Sequence, residues 1–91
     1  MIEVENDGET LKLIGEARLK HIEELYEKLK DHRSPDAISV LDISRLEDID
    51  VAGAQVIVSF LKASQDVVLR GAPEVLEKKL EFTGLSQFVT K

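Results

Sequence analysis

"LEDIDVAGAQ", residues 46–55, decides how the chain is read. A strand-like run ends just before it and a helix-like run begins inside it. Upstream, residues 37–43 (AISVLDI) are mostly apolar with little alternation, the pattern of a central or parallel strand buried on both faces. Downstream, Ala54, Ile57, Val58 and Leu61 recur at helical spacing and predict a helix over about 51–64 with that stripe against a sheet. Residues 44–49 are expected to form the connecting loop. Asp50 suits a helix start, because its carboxylate can accept hydrogen bonds from the N–H groups of Ala52 and Gly53 and its charge favours the N-terminus. Gly53 has no Cβ, so another backbone or a partner can come close.

Working outward, residues 2–5 (IEVE) and 10–14 (TLKLI) alternate apolar and polar around the turn signal Asn6-Asp7-Gly8, which predicts an N-terminal hairpin. Gly15 then breaks the alternation. From about 18 to 31 the period becomes helical, with Leu19, Ile22, Leu25, Tyr26 and Leu29 as one stripe and Glu24 and Lys28 paired at i,i+4. Ser34-Pro35 is the expected stop, within a turn over Asp31–Asp36. A short strand follows at 67–70, and Pro73 suits the first turn of a last helix. Gly84 stands where a left-handed residue ends that helix, with Leu85 as its apolar contact, and residues 87–90 add a short strand or pack on the sheet. The order β-β-α-β-α-β-α-(β) argues for an α/β fold: a single domain over 1–91, its mixed sheet made of a hairpin plus parallel strands, with helices mainly on one face.

The composition narrows the function classes. A net charge of −6 disfavours nucleic acid and anionic lipid, and the basic cluster Lys28, Lys30, His32 and Arg33 is interrupted by acids. There is no cysteine, hence no disulfide or thiolate chemistry, which fits a reducing cytoplasm. No secretory signal or membrane-spanning run is seen, so a cytoplasmic protein without membrane insertion is expected. His21 and His32 share no face at ligand spacing, and no serine has an evident base, so no catalytic residue and no enzyme activity is expected. Asp42, Asp48 and Asp50 near the end of the central strand could bind Mg²⁺ through oxygen, but Asp50 reads as a cap and Asp48 as a solvated loop residue, so neither metal nor cofactor is expected. The predicted middle helix carries a second apolar stripe (Ala52, Val56, Phe60 and Ala63), which leaves only Gln55, Ser59 and Lys62 as a polar edge. Either flanking helices cover that stripe, or it is a docking face; a small-ligand module binding a nucleotide or lipid beside Val56 and Phe60 is a further alternative.

The ordered set "GEARL" (15–19), "VLDIS" (40–44), "IDVAG" (49–53) and "LEFTGLSQF" (80–88) resembles a STAS domain, the family of bacterial anti-sigma factor antagonists and sulfate transporter tails, over nearly the whole chain. Asp42 matches a recurring position of that family. In the antagonists, the residue after the motif aspartate is a hydroxyl phosphoacceptor, phosphorylated by a partner kinase with a histidine-kinase-like ATPase fold; the added charge releases the partner. The resemblance puts Asp50 and Gly53 on the motif's aspartate and glycine, and Val51 on the phosphoacceptor position. Valine has no hydroxyl, so the resemblance implies a protein-docking module without the phospho-switch. The form "IDxAGAQ" is similar to small stand-alone STAS proteins found with chemotaxis components; a second small type docks on the ATPase of phospholipid-trafficking ABC transporters. The expected partner is therefore a protein: a histidine-kinase-like ATPase, a chemotaxis component or an ABC ATPase. The expected contact surface is Ser44, Arg45, Asp48, Ile49, Asp50, Val51, Ala52, Gly53 and Gln55.

Overall fold

The computed structural model describes residues 2–31, 38–63 and 67–89. The expected helix stop at Ser34-Pro35 and His32 lie outside the described residues. Four strands, β1 (Ile2–Asp7), β2 (Thr10–Ala17), β3 (Val40–Ile49) and β4 (Val68–Arg70), form one sheet in the order β1-β2-β3-β4. β1 and β2 are antiparallel, while β2–β3 and β3–β4 are parallel. Helices α1 (Ile22–Lys30), α2 (Val51–Ala63) and α3 (Glu77–Phe82) follow β2, β3 and β4, so the expected mixed α/β architecture is present. Right-handed crossovers between parallel neighbours put α1 and α2 on one face, where they pack together.

The hairpin forms for the expected reason but turns later. β1 continues to Asp7, which pairs with Thr10, and Gly8 takes a positive φ of 63° in the two-residue connection. β2 does not stop at Gly15. It continues to Ala17, because every second residue (Leu11, Leu13, Gly15, Ala17) turns into the helix-covered core and β3 keeps pairing through Ala17, whereas pairing with β1 has ended at Gly15.

The largest correction concerns residues 44–49, which are strand rather than loop. Lys12 pairs with Asp42 and Ile14 with Arg45; Gly15 pairs with Leu46 and Glu16 with Asp48. At each step β3 advances one residue more than β2, which is the signature of a bulge. The two extra residues stretch the inward spacing, so Ile43, Leu46 and Ile49 are all buried although they lie three apart. That spacing hid the strand, because a pleated strand was expected to alternate every two residues.

The core is aliphatic: Leu11, Leu13, Leu41, Ile43, Ile57, Leu69 and Leu80 are fully or almost fully buried. Burying each such side chain favours folding by about 1.5–3 kcal/mol before entropy is counted. In α2, Ala54, Ile57 and Leu61 are buried as expected, but Phe60 joins them where Val58 stays half-buried. Phe60 is buried beside α1: only a recess of about 10 Å³ remains between Tyr26, Leu29 and Lys30 on one helix and Val56, Ser59 and Phe60 on the other. Of the second stripe, Phe60 is buried, Ala52 and Val56 are half-buried and Ala63 is exposed, and a trough of about 470 Å³ lined by Ile22, Glu23, Tyr26, Glu27 and Val56 opens beside it.

In α1, Leu25 and Leu29 are buried, Ile22 is half-buried and Leu19 projects outward. Residues Leu19–His21 form a 3₁₀ turn, whose tighter winding takes Leu19 off the α-helical stripe. Pro73 precedes a second 3₁₀ turn (Glu74–Leu76) in extended conformation rather than entering the helix itself. Gly84 has φ 82° and Leu85 is fully buried, as the termination signal required. Val89 makes one parallel bridge to Leu69, so the described part of the expected 87–90 segment meets the sheet at that residue.

Candidate functional site

Only Asp50 separates the last residue of β3 from the first of α2. The Asp50 N–H donates to the Ala17 carbonyl (3.1 Å), and the Asp50 carbonyl accepts the first helical N–H, from Ala54 (2.9 Å). Its carboxylate works in two directions. Oδ1 accepts the Gly53 N–H at 2.9 Å and caps α2, while Oδ2 accepts the Leu19 N–H at 2.8 Å. One side chain therefore ties the end of β2 to the start of α2. Partial burial pushes the Asp50 carboxyl up, but the N–H groups of Gly53 and Leu19, the charge of Arg18 and the N–H of Ala52 together hold it below the ordinary value.

Gly53 is buried against this chain's own backbone. A Cβ there would meet the Ala17 carbonyl oxygen at 1.9 Å and its carbon at 2.5 Å. The close approach foreseen for Gly53 is thus made by β2.

Asp48 is not a free loop residue. It pairs with Glu16 near the end of β3 and is gripped from two sides: Lys79 of α3 bonds its Oδ1, and Arg18 lies 3.8 Å from its Oδ2. The Ile49 N–H also donates to Oδ1, at 2.9 Å. The Lys79 hydrogen bond lowers the Asp48 carboxyl below its ordinary value, burial opposes it, and the Ile49 N–H and the charges of Lys79 and Arg18 add to the lowering.

The nine residues expected to form one surface separate into three groups. Ser44 and Arg45 lie within β3, where Arg45 reaches Glu5 of β1 at 4.0 Å and so points to the sheet face away from the helices. Ser44 adjoins Asp42, whose Oδ1 accepts its N–H at 2.7 Å. Ile49 and Gly53 are buried; Asp48 and Asp50 are half-buried and engaged in internal bonds. Val51, Ala52 and Gln55 remain accessible on the first turns of α2. The three aspartates considered for a cation each serve a different internal donor, and among the described residues no cluster of three potential metal ligands occurs.

Two features here had no counterpart in the sequence reading. Between the start of α2 and α3 runs a trough of about 480 Å³, lined by Ile49, Asp50, Val51, Lys78, Lys79, Phe82 and Thr83. Val51 is 47% exposed and Phe82 84%, which makes the trough wall an exposed apolar surface. Phe82 lies inside the stretch "LEFTGLSQF", but the helical pattern of α3 gives no sign that its phenyl ring faces outward.

This geometry is that of a small α/β domain in which an Asp50-capped helix start carries an exposed valine beside a trough that reaches α3. The sequence profile described as "Mlab, STAS domain" matches residues 2–90, and the chain belongs to the STAS domain family. Its fold is similar to that of the anti-sigma factor antagonist SpoIIAA in its unphosphorylated form, with a TM-score of 0.71 at 17% identity over 99% of this chain and 86% of that one. The phosphorylated form of SpoIIAA, a Bacillus cell fate determinant, aligns with a TM-score of 0.64 at 17% identity over 99% and 89% of the two chains. No curated protein matches in sequence. Among the described residues, no helix is long and apolar enough to cross a membrane.

Proposed function

We propose that this protein is a non-catalytic docking module of bacterial, cytoplasmic signalling, and that it binds a protein partner through the first turns of α2 without a phosphorylation switch. The observation that carries the reading is Val51: an exposed valine at the first position of a helix fixed by Asp50, where the family resemblance expects a phosphoacceptor hydroxyl. Phosphorylation would bring about −1.5 to −2 charges to that point. Valine offers apolar contact area there and no oxygen to receive phosphate. Asp48, Asp50 and Gly53 set the position of this surface, and Val51, Ala52 and Gln55 form it. The partner is of the classes the resemblance names: a histidine-kinase-like ATPase, a chemotaxis component or an ABC ATPase.

The test is affinity purification of tagged wild type and Val51→Asp from the native bacterium, read by mass spectrometry. A partner enriched with wild type and lost with Val51→Asp is expected, and its identity selects the branch. Equal recovery with both baits would put the interface elsewhere. Phosphate found within residues 49–53 after incubation with a partner kinase and ATP would refute the absence of the switch.

A further inference from the structure

We infer that the docking surface extends from Val51 across the trough to Phe82 of α3, and that it takes an amphipathic partner helix whose large apolar residue is flanked by Asp or Glu. The inference rests on the docking reading above and adds the anchor and the partner's chemistry. Phe82 is the first reason. A phenyl ring left 84% exposed on a short helix, facing an exposed valine across a trough, is an unpaid apolar surface of the kind that interface anchors fill.

Charge is the second reason, and it selects the occupant. The chain carries −6 overall, yet the trough is lined by Lys78 and Lys79 against the single acid Asp50, whose two oxygens are already bonded to Gly53 and Leu19. Lys79 is shared with Asp48, while Lys78 has no ion-pair partner among the described residues. The cleft on the opposite flank of α3 reverses the sign: Glu77 and Glu81 of α3 and Glu74 of the turn before it outnumber Arg70 there. One six-residue helix thus presents lysines and Phe82 to the trough and glutamates away from it. An acid-flanked apolar face is attracted to the trough and repelled by the next groove, which fixes position as well as sign. A base-flanked helix would be drawn to the wrong side of α3.

A random peptide library displayed on phage, selected against the full chain, tests this. The expected binders carry a large apolar residue with Asp or Glu one helical turn away. They lose affinity by about tenfold or more on Phe82→Ala, as an anchor residue requires. They also weaken on Lys78→Glu, and their wild-type affinity falls with added salt. Both side chains stand in solvent, so circular dichroism and melting temperature of the variants should match wild type. A selection that yields no binder, or binders with basic flanks, or binders indifferent to Phe82→Ala, overturns the inference. Val51→Asp separates it from the broader reading. Binders lost with Val51→Asp but indifferent to Phe82→Ala and Lys78→Glu leave docking at α2 in place and remove the α3 anchor; binders indifferent to all three remove both.

Discussion

Gly53 rests on the carbonyl of Ala17, so closely that a Cβ at position 53 would fall 1.9 Å from that oxygen. The same carbonyl accepts the Asp50 N–H. The first turn of α2 is therefore seated on the end of β2, and the exposed Val51 owes its position to that seat.

Replacing Gly53 by alanine is accordingly the most damaging small change at the site. The obstacle is backbone, which no rotamer can move, so helix and strand must separate. The expected loss is about 3 kcal/mol, the upper end of the range for overpacked interiors, measured as a lowered urea midpoint. Ala17→Gly removes a contact at 3.0 Å but leaves the carbonyl, so it should fail to rescue Gly53→Ala.

Asp50 joins two elements through charge-accepting hydrogen bonds, and its stabilisation must depend on pH. Its folded carboxyl titrates below the ordinary value of 3.8. The contribution is then complete above that value and is lost as pH falls through it toward the lowered folded value. Asp50→Asn keeps one acceptor oxygen and loses the charge. It should cost about 1 kcal/mol at neutral pH, and its stability should fall less steeply than wild type below the ordinary carboxylate range. Parallel acid titrations followed by circular dichroism check both statements; equal acid slopes would show that the folded carboxyl is not lowered.

Asp48 is held by Lys79 of α3 and Arg18 beyond β2, and this cluster is partly open to water. Solvent screening limits what it contributes. A double-mutant cycle with Asp48→Ala and Lys79→Ala should give a coupling of about 0.2–1 kcal/mol, shrinking as salt is added. A larger, salt-independent coupling would mean that the pair is more desolvated than its exposure indicates.

The sequence revealed these relationships unevenly. The hairpin, the two crossover helices, the parallel order and the Gly84 termination follow from local pattern, because each depends on residues close in sequence. The course of β3 does not. Ile43, Leu46 and Ile49 are all buried only because two bulges lie between them, and a bulge is created by the pairing partner as much as by the bulged strand. Asp50 was readable as a cap because its target, Gly53, is three residues away; its second acceptance, from Leu19, spans 31 residues. The same separation hid the bond between Asp48 and Lys79. Ser44 and Arg45 were grouped with the site by proximity in sequence, but both lie within an extended strand, and Arg45 reaches Glu5 on the other sheet face.

Val51→Asp is the change that separates folding from binding. The side chain is 47% exposed and occupies the first turn of α2, where a negative charge interacts favourably with the free N–H groups. Nearby Asp48 and Asp50 repel it, but their carboxylates are engaged by Lys79, Leu19 and Gly53. These opposing effects should leave stability within about 0.5 kcal/mol of wild type, as for an ordinary surface substitution. Partner affinity should nonetheless fall, since a desolvated apolar contact becomes a charge that the interface must bury without a counterion. Val51→Ala supplies the control: it trims the contact without adding charge and should weaken binding less. Urea melts alongside affinity measurements on both variants decide the matter. If Val51→Asp lowers the melting midpoint as much as it lowers binding, its effect comes from the fold and not from the docking surface.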